Sequence, residues 1–203
     1  MVLAAGDRVL FYISPDLKHW ELSGSFGGGY GSTDGVWETP DLFQLPVNGS
    51  DSRWVLTVGV GSGAYAGGSG TQYFIGSFDG KTFTSENPKE TILWMDHGPD
   101  FYAPQSWNDE PNGRRISIAW MSNWSYAREV PSTDWRGAFS LPRELSLAQT
   151  KHGIRLRQAP IAESKSLRWG ISHWFDRKIL PGINLLTDLH KDTCEILAEF
   201  EVD

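Results

Sequence analysis

The feature that most narrows the fold is an internal match at a spacing of roughly sixty residues. "FYISPDLKHW" from Phe11 and "FIGSFDGKTF" from Phe74 share Phe, Ser, Asp, Lys and a closing aromatic at the same offsets. "WVLTVG" from Trp54 corresponds in the same way to "RISIAW" from Arg115. "RVLFYIS", "RWVLTVGV", "TQYFIGSF" and "RRISIAWM" are short, rich in β-branched and aromatic residues and separated by turn chemistry. Asp79-Gly80 and Asn112-Gly113 are hairpin cues, and no long helical period with caps interrupts the first ~145 residues. An all-β unit repeating at this length points to propeller blades of four strands.

The available length holds two to three such blades, whereas propellers close with about 4–8. An unclosed array leaves unpaired edges. Further sequence or a second chain is therefore expected to complete it. The opening "MVLAAGDRVLFYIS" reads as strand, Gly-Asp turn and strand, as in a piece of a longer array. From about Glu163 the repeat is lost, and "CEILAEFEV" alternates like a strand with one buried face. The expected organisation is a partial β-propeller over 1–162 and the beginning of a truncated β-sandwich-like domain over 163–203.

Composition narrows the function. Ten Trp and an aromatic share of 13% suit a protein that stacks rings on sugars, or one that fills a β-rich core with them. The net charge of −7 offers no basic stripe, so nucleic acid and anionic membrane are not expected partners. Cys194 is the single cysteine, which excludes an internal disulfide. The five His are scattered without ligand spacing, so neither a metal nor a cofactor is expected. "GSGAYAGGSGTQ" precedes a strand and lacks Lys-Ser/Thr, so it reads as a loop, not a phosphate cradle.

The heptapeptide Trp37-Glu38-Thr39-Pro40-Asp41-Leu42-Phe43 sets a carboxylate between an indole and Thr-Pro. Pro40 pushes Thr39 toward extended backbone, and an apolar neighbour would raise the carboxyl pKa as a general acid requires. The plain alternative is an exposed strand glutamate.

"WETPDLF" resembles the acid motif of glycoside hydrolase family 32, the invertases, inulinases and levanases. "DFYAPQSW", "ISIAWMSNWSYAREVPSTDWRGAFSLPREL" and "GIRLRQAP" are similar to the exo-inulinase and levanase members, so the likeness spans roughly residues 1–165. The resemblance implies a five-bladed propeller with an axial site followed by a β-sandwich. It implies retaining hydrolysis of β-fructofuranosidic bonds, in which an aspartate attacks the anomeric carbon and a glutamate is acid/base. Glu38 matches the acid/base, Trp135 a tryptophan of the fructose pocket, and Asp100 and Tyr102 positions near the site. Trp37 is assigned to substrate binding beside Glu38, and Thr39 replaces the commoner cysteine.

The family nucleophile and an Arg-Asp-Pro motif precede the acid, and neither stands ahead of Glu38 here. "WNDEPNG", from Trp107, shares letters with the nucleophile signature. Yet it follows the acid, carries an extra Glu110, and lies between two strand patterns. Asp109 is therefore expected on a hairpin tip, not in catalysis.

The expected partner is a fructan or sucrose, with a missing N-terminal segment or second chain completing the propeller. Hydrolysis is favoured over fructosyl transfer. The other reading is a non-catalytic fructan-binding remnant that keeps the rings without the chemistry. Asn48-Gly49-Ser50 and Asn123-Trp124-Ser125 fit the glycosylation acceptor pattern, and the parent enzyme is expected to be secreted.

Overall fold

The computed structural model describes residues 1–49, 51–190 and 193–201. Residues 1–167 form one compact unit and 168–203 another. The first unit contains three antiparallel sheets. The first sheet runs β1 (Val2–Ala4), β2 (Arg8–Ile13), β3 (Glu21–Gly27). The second runs β4 (Trp37–Pro46), β5 (Ser52–Val60), β6 (Gly70–Phe78), β7 (Phe83–Ser85). The third is formed by β8 (Tyr102–Ser106), β9 (Arg115–Trp120), β10 (Arg143–Thr150) and β11 (Gly153–Pro160), again in chain order. A 3-10 turn, Ala162–Leu167, ends the unit.

Both sequence matches fall on equivalent strands. The first aligns the end of β2 and the turn leading to β3 with the end of β6 and the turn leading to β7, and the second aligns β5 with β9.

The apolar runs of β5 and β6 follow from the position of the second sheet between two cores. Successive strand side chains face opposite ways. Val55, Tyr73 and Ile75 enter one cluster with Phe43, Phe101 and Leu145. Leu56, Val58, Val60 and Phe74 enter the other with Phe11, Phe26 and Trp37. A sheet buried on both faces needs apolar residues at successive positions, and a period-2 pattern is lost there.

Four loops meet at one end of the sheets. Gly31 N donates to Lys89 O at 2.7 Å, and Ser62 Oγ donates to Asp34 O at 3.0 Å. Fully buried Gln72 pins the 28–36 loop, accepting from Ser32 N at 2.8 Å and donating to Ser32 O at 2.9 Å. Gly31 permits this: a Cβ there would lie 2.3 Å from Gln72 Oε1.

The β8–β9 connection, residues 107–114, is a hairpin loop, and Asp109 stands exposed in it with φ 61°. Glu110 braces the loop, accepting from Asn112 N (2.8 Å) and Arg114 N (3.0 Å) and pairing with the Arg114 guanidinium (3.0 Å). Arg114 also pairs with Glu163 at 2.8 Å. Partial desolvation opposes ionisation of Glu110, but the Arg114 guanidinium and the amides outweigh it and hold its pKa at about 2 instead of 4.5. A depressed carboxyl stabilises the fold above pH 4.5, and that contribution is lost as pH falls through about 2. Glu110→Gln should therefore narrow the gap in urea midpoint between pH 7 and pH 3. An unchanged gap would show that this brace is not linked to folding.

Among the described residues of 168–201 there is no strand. The expected strand at Cys194 therefore does not form over its described residues, 194–201, and its final Val202 lies outside them. That stretch finds no partner strand to turn its alternation into a ladder.

Candidate active site

The facing edges of the second and third sheets, β4 and β8, carry the site. Both strands break their ladders at the same relative place, with register shifts between Glu38 and Asp41 and between Tyr102 and Gln105. Thr39 (φ 47°) and Ala103 (φ 49°) occupy the left-handed region inside these bulges, each followed by a proline that donates nothing to a ladder. Non-glycine residues held there cost about 1–3 kcal/mol each, a strain that the flanking pairs must offset. The bulges re-aim the preceding side chains, Glu38 and Tyr102. "WETPD" and "FYAPQ" are thus one repeated device, bearing a carboxylate in one copy and a phenol in the other.

Side chains, not a backbone ladder, join these edges. The Tyr102 hydroxyl donates to Glu38 Oε2, Gln105 Nε2 donates to Thr39 O at 3.1 Å, and Ser106 N donates to Asp41 Oδ2 at 3.0 Å. Burial of Tyr102, and then its hydrogen bond to the Glu38 carboxylate, push the phenol pKa well above its usual 10. It therefore remains a neutral donor. Glu38 is exposed at the start of β4, the end at which the four loops gather.

Gly59, opposite Glu38 in the ladder, makes room for the phenol: a Cβ would lie 3.0 Å from Tyr102 Cε2 and 3.0 Å from Thr39 Oγ1. A hydrogen bond to a charged group contributes about 1.5–3 kcal/mol, so in a reaction carried by Glu38, Gly59→Ala should lower kcat/KM roughly 10- to 150-fold, with Tyr102→Phe reproducing the loss. Wild-type kinetics in both variants would remove the pair from the mechanism.

Trp37 is elsewhere. It is 1% exposed, packs at 5.5 Å from Phe74, and donates from Nε1 to Ser32 O at 2.8 Å. The pleat sends neighbouring side chains to opposite faces, so the indole enters the core while Glu38 faces outward. The assignment of Trp37 to substrate binding is corrected accordingly: its ring offers no stacking face.

Asp100 is half-buried on the loop that feeds β8 and accepts a hydrogen bond from the Tyr126 hydroxyl. That bond, aided by partial desolvation, pushes the Tyr126 phenol up to about 12. Trp135 is 72% exposed on the β9–β10 loop. The same loop leaves from Trp120, whose ring meets Tyr102 edge-on at 6.4 Å and Trp124 at 4.9 Å. Trp120, Trp124, Tyr126 and Gly59 were not singled out from sequence. The WETPD–FYAPQ correspondence was the available signal for pairing Glu38 with Tyr102. Among the described residues no group of three or more His, Cys, Asp or Glu could hold a metal, and no helix is long and apolar enough to cross a membrane.

Residues 1–160 match the profile described as the glycosyl hydrolases family 32 N-terminal domain. The chain belongs to glycosyl hydrolase family 32. Family 32 relatives include a levanase of Bacillus subtilis, 49% identical over 207 residues that span 100% of this chain and 31% of that protein. An extracellular exo-inulinase of Aspergillus niger is 42% identical over 161 residues, 75% of this chain and 30% of that protein. Among solved structures, the exo-inulinase from Aspergillus awamori superposes with a TM-score of 0.72 at 39% identity, covering 80% of this chain and 33% of that one. A fructofuranosidase from Schwanniomyces occidentalis complexed with fructose gives 0.69 at 32% identity, covering 80% and 33%. The chain spans about a third of the length of these relatives. The family 32 match and these neighbours identify its sheets as part of a β-propeller.

Proposed function

We propose that this chain supplies the acid/base and part of the sugar-binding wall of a retaining β-fructofuranosidase acting on fructans or sucrose. The observation that carries the proposal is the exposed Glu38 carboxylate, aimed by a strained bulge and held by the neutral Tyr102 hydroxyl at the loop-bearing end of two adjacent sheets. The names of the family 32 relatives, levanase and exo-inulinase, support the substrate class.

In this reading an aspartate attacks the anomeric carbon while Glu38 gives its proton to the leaving oxygen. Glu38 then takes a proton from the water that releases fructose. The aspartate is supplied from outside these residues, by another segment or a second chain; Asp109, the aspartate set in a nucleophile-like sequence, stands exposed on its hairpin. Asp100 and Trp135 belong to the sugar-binding wall. Residues 1–162 are the partial propeller of a five-bladed whole, 163–203 begin a β-sandwich-like domain, and the parent enzyme is secreted.

Fructose release from sucrose, inulin and levan by the full-length enzyme, compared with its Glu38→Gln variant, tests the proposal. Equal release by both, or sugar binding without turnover in the parent, would sink it and leave the binding remnant.

A further inference from the structure

Asn123 is 1% exposed, yet nothing in the acid/base reading uses it. Its Oδ1 accepts from Ser69 N (3.2 Å), Ser125 N (3.0 Å) and Ser125 Oγ (2.7 Å). Its Nδ2 shares its two N–H groups among three carbonyls, Gly67 O (3.1 Å), Ser69 O (3.2 Å) and Pro99 O (2.8 Å). Its own carbonyl accepts from Tyr126 N (3.1 Å) and Ala127 N (2.8 Å). Every polar atom of the side chain is therefore engaged, which rules out its glycosylation in the folded protein although it opens the pattern Asn123-Trp124-Ser125. Gly68 (φ +64°) makes the close approach possible: a Cβ there would lie 2.0 Å from Asn123 Oδ1.

Three loops converge on this amide, and each leads to the site. Pro99 directly precedes Asp100. The turn that Asn123 opens carries Trp124 and Tyr126, and the Tyr126 hydroxyl holds Asp100. Ser69, itself buried, fixes the start of that turn by accepting from Trp124 N at 3.1 Å. The Glu38–Tyr102 pair, by contrast, is built on β4 and β8, and none of its hydrogen bonds runs through Asn123.

We infer that Asn123 is a positioning residue for substrate binding, setting the Asp100–Tyr126 pair and the Trp124 indole at the mouth of the site while leaving proton transfer to Glu38. The inference rests on the proposed β-fructofuranosidase function. A residue of this kind governs how the sugar is held, so its loss raises KM more than it lowers kcat.

Asn123→Asp is the direct test, since it keeps the acceptor and places a carboxylate oxygen against three carbonyls. In the full-length enzyme KM for sucrose or inulin should rise roughly tenfold while kcat changes less than about threefold. Adding Tyr126→Phe should raise KM no further, because both changes release Asp100. A purely structural role would lower the melting temperature and the fraction of active enzyme and leave KM unchanged, which would overturn the proposal. If Asn123→Asp fails to fold, Ser125→Ala decides: it removes one donor to Oδ1 and should raise KM roughly two- to fivefold, an unchanged KM again counting against the proposal. A parent enzyme that releases no fructose would overturn the functional reading first, and this one with it.

Discussion

Glu38→Gln is expected to lower kcat on sucrose or a fructan roughly 10²–10⁴-fold, with KM little changed. Glutamine matches glutamate in size, and its carbonyl oxygen can still accept from the Tyr102 hydroxyl, so the bulge and the phenol keep their places. What is lost is the proton: an amide neither protonates a leaving oxygen nor takes a proton from water. Initial rates of fructose release, with thermal unfolding to establish that both proteins are folded, measure the effect. A fall of less than about tenfold would show that another group moves the proton, below the usual range for a general acid–base catalyst.

Trp37→Ala should be the most damaging substitution for stability, costing about 3–5 kcal/mol. The indole is fully enclosed within the second core cluster, against Phe74, and its N–H satisfies Ser32 O. Trp37→Phe should cost less. It keeps a ring against Phe74, and Ser32 O retains its bond from Gln72. Urea unfolding of the three proteins separates these outcomes. An alanine variant of normal stability whose KM alone had risen would restore the indole to the sugar pocket.

Much of the architecture was legible because a blade is a local object. Its strands pair in chain order, so two weak matches located equivalent strands before any long-range contact was known. The hairpin around Asp109 was legible for the same reason. What escaped was set by neighbours distant in sequence. Tyr102 reaches Glu38 across 64 positions, and that meeting depends on two edges lying side by side. Trp37 and Glu38 are adjacent in sequence but not in space, because the pleat sends the two side chains to opposite faces. Asn123 was legible in part: its place inside the family-like segment marked it as less accessible than Asn48, but the three loops that bury it lie far apart in sequence. "CEILAEFE", residues 194–201, shows that alternation alone does not make a strand.

The side-chain rungs between β4 and β8 have a consequence for how such a site changes over time. Among the described residues β4 and β8 are joined by side chains and the two sheets share backbone pairing only further along, at Val47 and Leu147, so replacing a rung leaves the ladders within both sheets intact. The two bulges offer the same aimed position twice, filled once by an acid and once by a phenol. A substitution at Glu38 changes the exposed group of the pair, while Tyr102 stays buried beside it and both strands stay in register. The seam is thus the part of the molecule where new chemistry can be tried at least structural risk.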